Sequence, residues 1–202
     1  MSGQGTIGLI LLAAGASTRM RVGQKQLLPY DERSSLLRHA AETAAGSMCS
    51  PIVIVLGSNA EPLRSELNGL AVQTVVNEDW ANGISSSIAV GVKALLQVAA
   101  QTTAAIIALA DQPLITADFY NHLTAVHQRT NSPIVAAEYN DAVGVPALFA
   151  AEFFPALSNL AGDEGARRVI AAQSAQTIKI PAPEAAFDID TSEDYQRFRQ
   201  IR

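Results

Sequence analysis

Cysteine is almost absent from this 202-residue chain: Cys49 stands alone, so no disulfide can form within it. Histidine is scarce too, and His39, His122 and His127 are scattered without the spacing of a zinc site. Basic residues are outnumbered, 14 against 19 acidic, for a net charge of −5. That balance argues against a protein that coats nucleic acid, which needs a basic face to neutralise phosphates. It leaves room for a small anionic ligand, because a few local cations outweigh the global sign. Long apolar runs are missing as well. Ile7–Ala14 is too short to span a bilayer, and the opening Met-Ser-Gly-Gln-Gly lacks the basic stretch of a secretion signal. A reduced, cytoplasmic setting with no membrane partner is expected.

What the chain does have is apolar mass: 49% of its residues are hydrophobic and 16% charged, enough for a sizeable core. Its length suits one α/β domain spanning residues 1–202. Short apolar runs alternate with segments of helical period, the pattern of βαβ units. Strands are predicted at Thr6–Leu12, Pro51–Leu56, Ala71–Val76, Ala104–Ala110, Ile134–Glu138 and Thr177–Ile180. The run 104–110 has no polar alternation and reads as a central strand covered on both faces. Helices are predicted from Ser34 or Ser35 to Gly46, and over Ala60–Leu67, Ile84–Ala99, Thr116–Arg129, Ala151–Leu157 and Glu164–Ala172. A last one starts at Thr191, with Asp194 as capping-box partner. The expectation is a three-layer α/β/α, Rossmann-like domain with a mostly parallel sheet.

The most informative segment follows the first strand: Leu12-Ala13-Ala14-Gly15-Ala16-Ser17-Thr18-Arg19-Met20, with Lys25 beyond it. Small residues let backbone N–H groups approach an anion closely, and consecutive N–H groups form a phosphate nest. Arg19 can bind phosphate bidentately and Lys25 adds a point charge. Strand carboxyl ends are where open α/β sheets bind ligands. Two familiar phosphate loops are excluded. Gly15 and Gly23 are separated by more than a Walker A loop allows, and Gly3-Gln-Gly5-Thr-Ile-Gly8 matches the dinucleotide pattern but precedes the strand. An NAD-dependent oxidoreductase would further need an acidic residue ending the second strand, which runs instead into Leu56-Gly-Ser-Asn.

Asp111 directly follows the predicted central strand, in Leu109-Ala-Asp-Gln-Pro. A carboxylate at the mouth of a parallel sheet faces the ligand crevice, and Mg²⁺ commonly takes one or two protein carboxylates plus phosphate oxygens. Asp111 could instead cap the helix near Thr116, although Thr116 can do so unaided. Asp188 and Asp190 are two apart and share a face of an extended segment, so either could complete a metal site with Asp111. Helix capping is the other reading of that acidic stretch.

The loop resembles the Leu-Ala-Ala-Gly-x-Ser-x-Arg-Met-Gly-x-x-Lys-x-Leu-Leu signature of the MobA-like nucleotidyltransferases, through Leu12, Ala13, Ala14, Gly15, Ser17, Arg19, Met20, Lys25, Leu27 and Leu28. Arg21 replaces the usual glycine, and Lys25 lies one residue farther along. Leu109-Ala-Asp-Gln-Pro is similar to the family's Asp-x-Pro motif, and Asp188-Ile-Asp-Thr-Ser-Glu-Asp to its Asp-Ile-Asp-Thr-Pro-Glu-Asp. Asn77-Glu-Asp-Trp-Ala-Asn-Gly resembles the Asn-x-x-Trp-x-x-Gly-x-x-x-Ser-Leu pattern. Gly144-Val-Pro146 and Gly162-Asp-Glu-Gly-Ala-Arg167 resemble motifs of the acceptor side.

The resemblance implies the nucleotide-diphospho-sugar transferase type of fold. It implies Arg19, Lys25 and Asp111 as catalytic residues, and Leu12 to Gly15, Ser17, Arg19, Lys25, Asn77, Gly83 and Ser87 as nucleotide contacts. Mg²⁺ would sit on Asp111 with Asp188 or, behind it, Asp190. The implied reaction moves CMP from CTP to the terminal phosphate of molybdopterin, because Ala14 stands where guanylyl-transferring relatives carry a second glycine. Guanylyl or sugar-phosphate transfer is the alternative within the family, and a non-enzymatic molybdenum-cofactor carrier is the alternative outside it. Handover of the product to a molybdoenzyme or its chaperone is a possible partnership. From the residues alone, Gly144-Val-Pro146 reads as a turn, Asp163 as a cap for the helix at Glu164, and Ser85–Ser87 as N-cap chemistry or ligand donors.

Overall fold

The ends of this chain's strands are where its architecture matters. A computed structural model describes residues 5–16, 20 and 23–201. Seven strands form one sheet: β1 (Thr6–Ala13), β2 (Ile52–Leu56), β3 (Gln73–Val76), β4 (Thr102–Leu109), β5 (Ile134–Tyr139), β6 (Ala142–Ala150) and β7 (Thr177–Pro181), in the order β3-β2-β1-β4-β6-β5-β7. All pairings are parallel except those of β6, which runs antiparallel to β4 and β5. The helices are α1 (Leu36–Ala45), α2 (Ala60–Glu66), α3 (Ile84–Val98), α4 (Ala117–Thr130), α5 (Phe154–Ser158), α6 (Arg167–Ala172) and α7 (Ser192–Gln200). None of them is long and apolar enough to cross a membrane.

Cover on both faces explains why β1 beyond Thr6 and β4 beyond Thr103 carry no polar side chain. Leu9 and Leu11 face one layer with Leu37 and Ala41 of α1 and Leu123 of α4, while Ile10 and Leu12 face the other with Ile88, Val92 and Leu95 of α3. β4 is the middle strand of the seven, and Ala104 to Ala108 are buried on both faces. The first helix caps as read: Ser35 Oγ accepts the Arg38 N–H, and Gly46 ends it. Thr116 caps α4, and the Thr191–Asp194 capping box opens α7.

Three local readings are corrected. Gly144-Val-Pro146 is no turn but part of β6, and the turn lies before it, at Asn140 and Asp141, both with positive φ. The pairing slips from Ala136↔Ala147 to Ala137↔Gly144, so Val145 and Pro146 bulge out of register. A proline has no N–H to give the ladder, and a bulge accommodates that loss. Asp163 does not cap a helix, because α6 begins only at Arg167 with Ala166 before it and no side-chain cap. Nor do the serines of α3 cap it: Gly83 occupies that position, and the serines bond elsewhere.

After β1 the chain crosses through α1 to β2 on one face, whereas β4 is reached through α3 on the other. The sheet order therefore reverses between β1 and β4, which opens a crevice at their carboxyl ends.

Candidate active site

The loop leaving β1 forms one wall of that crevice. A Cβ on Gly15 would meet nothing within 4 Å, so packing does not impose this glycine; it borders open space. Lys25 and Gln26 approach the loop from a 3₁₀ turn, Lys25–Leu27. Ser17 and Arg19 lie outside the described residues.

Lys25 is the hub of the charged groups. Its Nζ donates to Asp111 Oδ2 at 2.6 Å and to Asp190 Oδ1 at 2.9 Å. Burial lowers the lysine's proton affinity, but the charges of Asp111 and Asp190 and the bonds to them outweigh it, holding Lys25 above the usual lysine range. The pairing is built by backbone. The Ile189 N–H donates to the Asp111 carbonyl at 2.9 Å, and the Ile189 side chain is fully buried beside Leu36 and Phe198. With Ile189 locked inward on an extended segment, Asp188 and Asp190 flank it on the other side, beside Asp111.

Asp188 borders the crevice with part of its surface exposed. Burial around its carboxyl and then the Asp111 charge push it up to about 6, against a hydrogen bond from Gln112. The other oxygen of the central carboxylate, Asp111 Oδ1, is buried and has no hydrogen-bond partner among the described residues. Among the described residues, Lys25 is the basic group bonded to Asp111 and Asp190. Among the described residues no group of three or more metal-binding side chains converges, and two carboxylates meet the usual Mg²⁺ need.

A pH prediction follows from Asp188. A carboxyl with a raised folded-state pKa binds more protons folded than unfolded between about pH 4 and 6, so its contribution to stability falls as pH rises through that window. Asp188→Asn is expected to remove that part of the pH dependence in denaturant titrations of metal-free protein. A carboxyl resonance of Asp188 titrating near pH 4 by NMR would overturn it.

Two adjoining cavities, with Leu12, Ile84, Leu109 and Asp163 in common, each border one aspartate of this cluster. The smaller, about 370 Å³, is lined by Leu12, Ala14, Gly15, Trp80, Gly83 and Ser87 and reaches Asp111. Asn77 stands behind its wall: its Nδ2 donates to Ser86 Oγ at 2.8 Å and Ser87 Oγ at 3.0 Å, and its Oδ1 accepts the Asp79 N–H. Asn77 thus braces the start of α3. Gly83 has φ +94°, and a Cβ there would lie 2.4 Å from the Gly162 carbonyl oxygen. Gly83→Ala is expected to cost about 2 kcal/mol or more in urea unfolding, through backbone strain and that clash; a loss of a few tenths would contradict it.

The larger cavity, about 560 Å³, has apolar walls from Leu12, Ile84, Ile107 and Val145, with Asp188 and Arg167 at its polar edges. Arg167 Nη2 donates to the Tyr139 hydroxyl at 2.9 Å, and that hydroxyl donates to the Val145 carbonyl. Asp163 touches both cavities.

Sequence reasoning missed two glutamines. Gln112 Nε2 donates to the Ala185 carbonyl at 2.8 Å and the Val145 carbonyl at 3.4 Å, tying the β4 exit to β6 and to the segment leading into Asp188. Gln26 Nε2 reaches the carbonyls of the β1 loop. Each stands beside a charged residue the motifs did single out, and that adjacency was the available signal.

A mostly parallel seven-stranded sheet layered by helices, with the Gly15 loop and the carboxylates gathered at its reversal point, is the nucleotide-diphospho-sugar transferase fold. The chain belongs to the MobA-like NTP transferase domain family, whose model matches residues 9–177. It is an enzyme of the nucleotidyltransferase class. Among curated proteins it is 38% identical to the nicotine blue oxidoreductase of Paenarthrobacter nicotinovorans, over 78% of each chain. It is 28% identical to the purine catabolism protein PucB of Bacillus subtilis, over 95% of each. It also matches bifunctional GlmU proteins, of whose length it spans 28 to 30%. Among solved structures, Rv0371c of Mycobacterium tuberculosis superposes with a TM-score of 0.82 at 27% identity, covering 97% of this chain and 98% of that one. A manganese complex of Rv0371c matches at a TM-score of 0.76 and 26% identity, covering 96% and 98%.

Proposed function

We propose that this enzyme transfers CMP from CTP to the terminal phosphate of a molybdopterin-type acceptor, releasing pyrophosphate. One observation carries the reading: two cavities sharing Leu12, Ile84, Leu109 and Asp163 adjoin, one beside the Gly15 loop with Asp111 on its wall and one with apolar walls and Asp188 at its edge. An oxygen of the acceptor phosphate attacks the α-phosphorus while the bond from that phosphorus to the β-phosphate's bridging oxygen breaks. The acceptor phosphate is already ionised near neutral pH, so no general base is needed. The Gly15 loop, Arg19 and Lys25 hold the β- and γ-phosphates and the charge of the departing pyrophosphate. Ser87 and Gly83 border the nucleotide's side of the crevice, and Asn77 braces them.

The residues present fit a divalent cation. Asp111 Oδ1, which accepts no hydrogen bond among the described residues, and the Asp188 carboxyl, pushed up by burial and by the Asp111 charge, are hard oxygen donors, and Asp190 stands next in reach. We assign Mg²⁺ to Asp111 and Asp188; when bound it would neutralise charge building on the transferring phosphates. The manganese complex of Rv0371c supports a divalent requirement. The product would pass to a molybdoenzyme or its chaperone.

The test is pyrophosphate release from CTP and from GTP with Mg²⁺ and molybdopterin-type acceptor. Release with CTP supports the reading, and release with GTP alone moves it to guanylyl transfer. Silence from both, with acceptor binding retained, favours a carrier. The 38% identical relative named an oxidoreductase favours a second reading, in which this crevice supports a redox reaction. Reduction of nicotine blue by a reduced nicotinamide nucleotide, without pyrophosphate release, would establish it. The missing dinucleotide glycine pattern after β1 weighs against it.

A further inference from the structure

We propose that Gln26 is a positioning residue that holds the β1 loop in its anion-receiving conformation; this rests on the nucleotide-binding role given to that loop above. β1 ends at Ala13, and past that point the sheet ladder no longer sets the backbone. Gln26 takes over. Its side chain is 4% exposed, and its single amide nitrogen donates to the Gly15 carbonyl at 2.8 Å and the Ala13 carbonyl at 3.2 Å. In a trans peptide the C=O and the following N–H point in opposite directions. With the Gly15 carbonyl turned to Gln26, the Ala16 N–H points away from Gln26, and Gly15 and Ala16 both border the 370 Å³ cavity.

The turn that carries Gln26 is itself fixed. The Leu27 N–H donates to the Gln24 carbonyl and the Leu28 N–H to the Lys25 carbonyl, both at 3.1 Å. Gln24 in turn donates to the Ser58 carbonyl at 2.9 Å, just past β2. Adjacent residues of one turn thus set two parts of the site, Lys25 the fixed charge and Gln26 the direction of the loop's peptide dipoles. A buried glutamine that only satisfied its own polarity would leave ligand affinity unchanged when replaced by an apolar residue of equal length.

Gln26→Met keeps length and removes the donor; Gln26→Glu keeps shape and turns an acceptor toward two carbonyls. Trp80 is the sole tryptophan and lines the nucleotide cavity, so its fluorescence reports binding of CTP and of pyrophosphate alone. For Gln26→Met we expect both dissociation constants and KM for CTP to rise about tenfold, the scale of one or two lost hydrogen bonds, with kcat within about threefold. Amide hydrogen exchange at Gly15 and Ala16 in ligand-free protein should speed up in both variants. Unchanged affinity and exchange in a folded variant would overturn the proposal. So would equal losses in kcat and in melting temperature, which mark a merely structural role. If either variant fails to fold, the other decides. Should wild type bind no nucleotide, the proposed function fails instead, and the exchange rates still decide whether Gln26 holds the loop.

Discussion

Replacing Asp111 with asparagine is expected to lower pyrophosphate release by about a thousandfold or more, while the protein stays folded and still binds nucleotide. The substitution keeps the size of the side chain and removes the charge on the wall of the cavity beside the Gly15 loop. Lys25 retains Asp190 as a partner at 2.9 Å, so the fold loses one ion pair of a linked set. Asp188 loses the like charge that helps to push it up, and its carboxyl should titrate lower. The measurement is kcat and KM for CTP beside the melting temperature. A rate within tenfold of wild type would remove Asp111 from the chemistry. A collapse in melting temperature would make it a structural residue.

Lys25→Met is expected to act in two opposite directions. The rate should fall about 10²- to 10⁴-fold, because a cation that neutralises the departing pyrophosphate is gone. Divalent-metal affinity of the nucleotide-free protein should rise, about tenfold or more. In the structure the Lys25 ammonium sits 2.6 Å from Asp111 and 2.9 Å from Asp190, on the carboxylates a divalent cation would use. Removing it takes away the ammonium that competes for Asp111 and Asp190, and a doubly charged ion then meets less opposition there. Titration with Mn²⁺, read by the electron paramagnetic resonance of the free ion, separates the two effects. Metal affinity that falls with the rate would show that Lys25 supports the cation site instead of competing for it. The same variant should be less stable than wild type at neutral pH and recover on acidification, as protonation relieves carboxylates that have lost the Lys25 ammonium.

Much of the fold was legible because its signals are local. The run 104–110 could only be a strand covered on both faces, and Ser35, Thr116 and Thr191 start helices by bonding to N–H groups three residues on. The loop after β1 and Asp111 after β4 were legible because strand ends are where open sheets bind ligands. β6 was not. Its reversed direction depends on partners β4 and β5 and on a bulge that hides Pro146, and none of these lies within the reach of a sequence window. Asp163 failed as a helix cap for a similar reason: the Gly162 carbonyl is taken up by Ser85 across the crevice, and α6 starts late.

By itself, then, the sequence determined the layers, most element boundaries and the residues able to carry charge to a phosphate, because burial period and capping act over a few residues. Only the tertiary structure decided which of those charges meet. Lys25 and Asp190 are 165 positions apart, and they touch because the Ile189 N–H bonds the Asp111 carbonyl and the Ile189 side chain enters the core beside Phe198. The same holds for Gln26 and Gln112, whose chemistry rests on main-chain carbonyls that no side-chain pattern records.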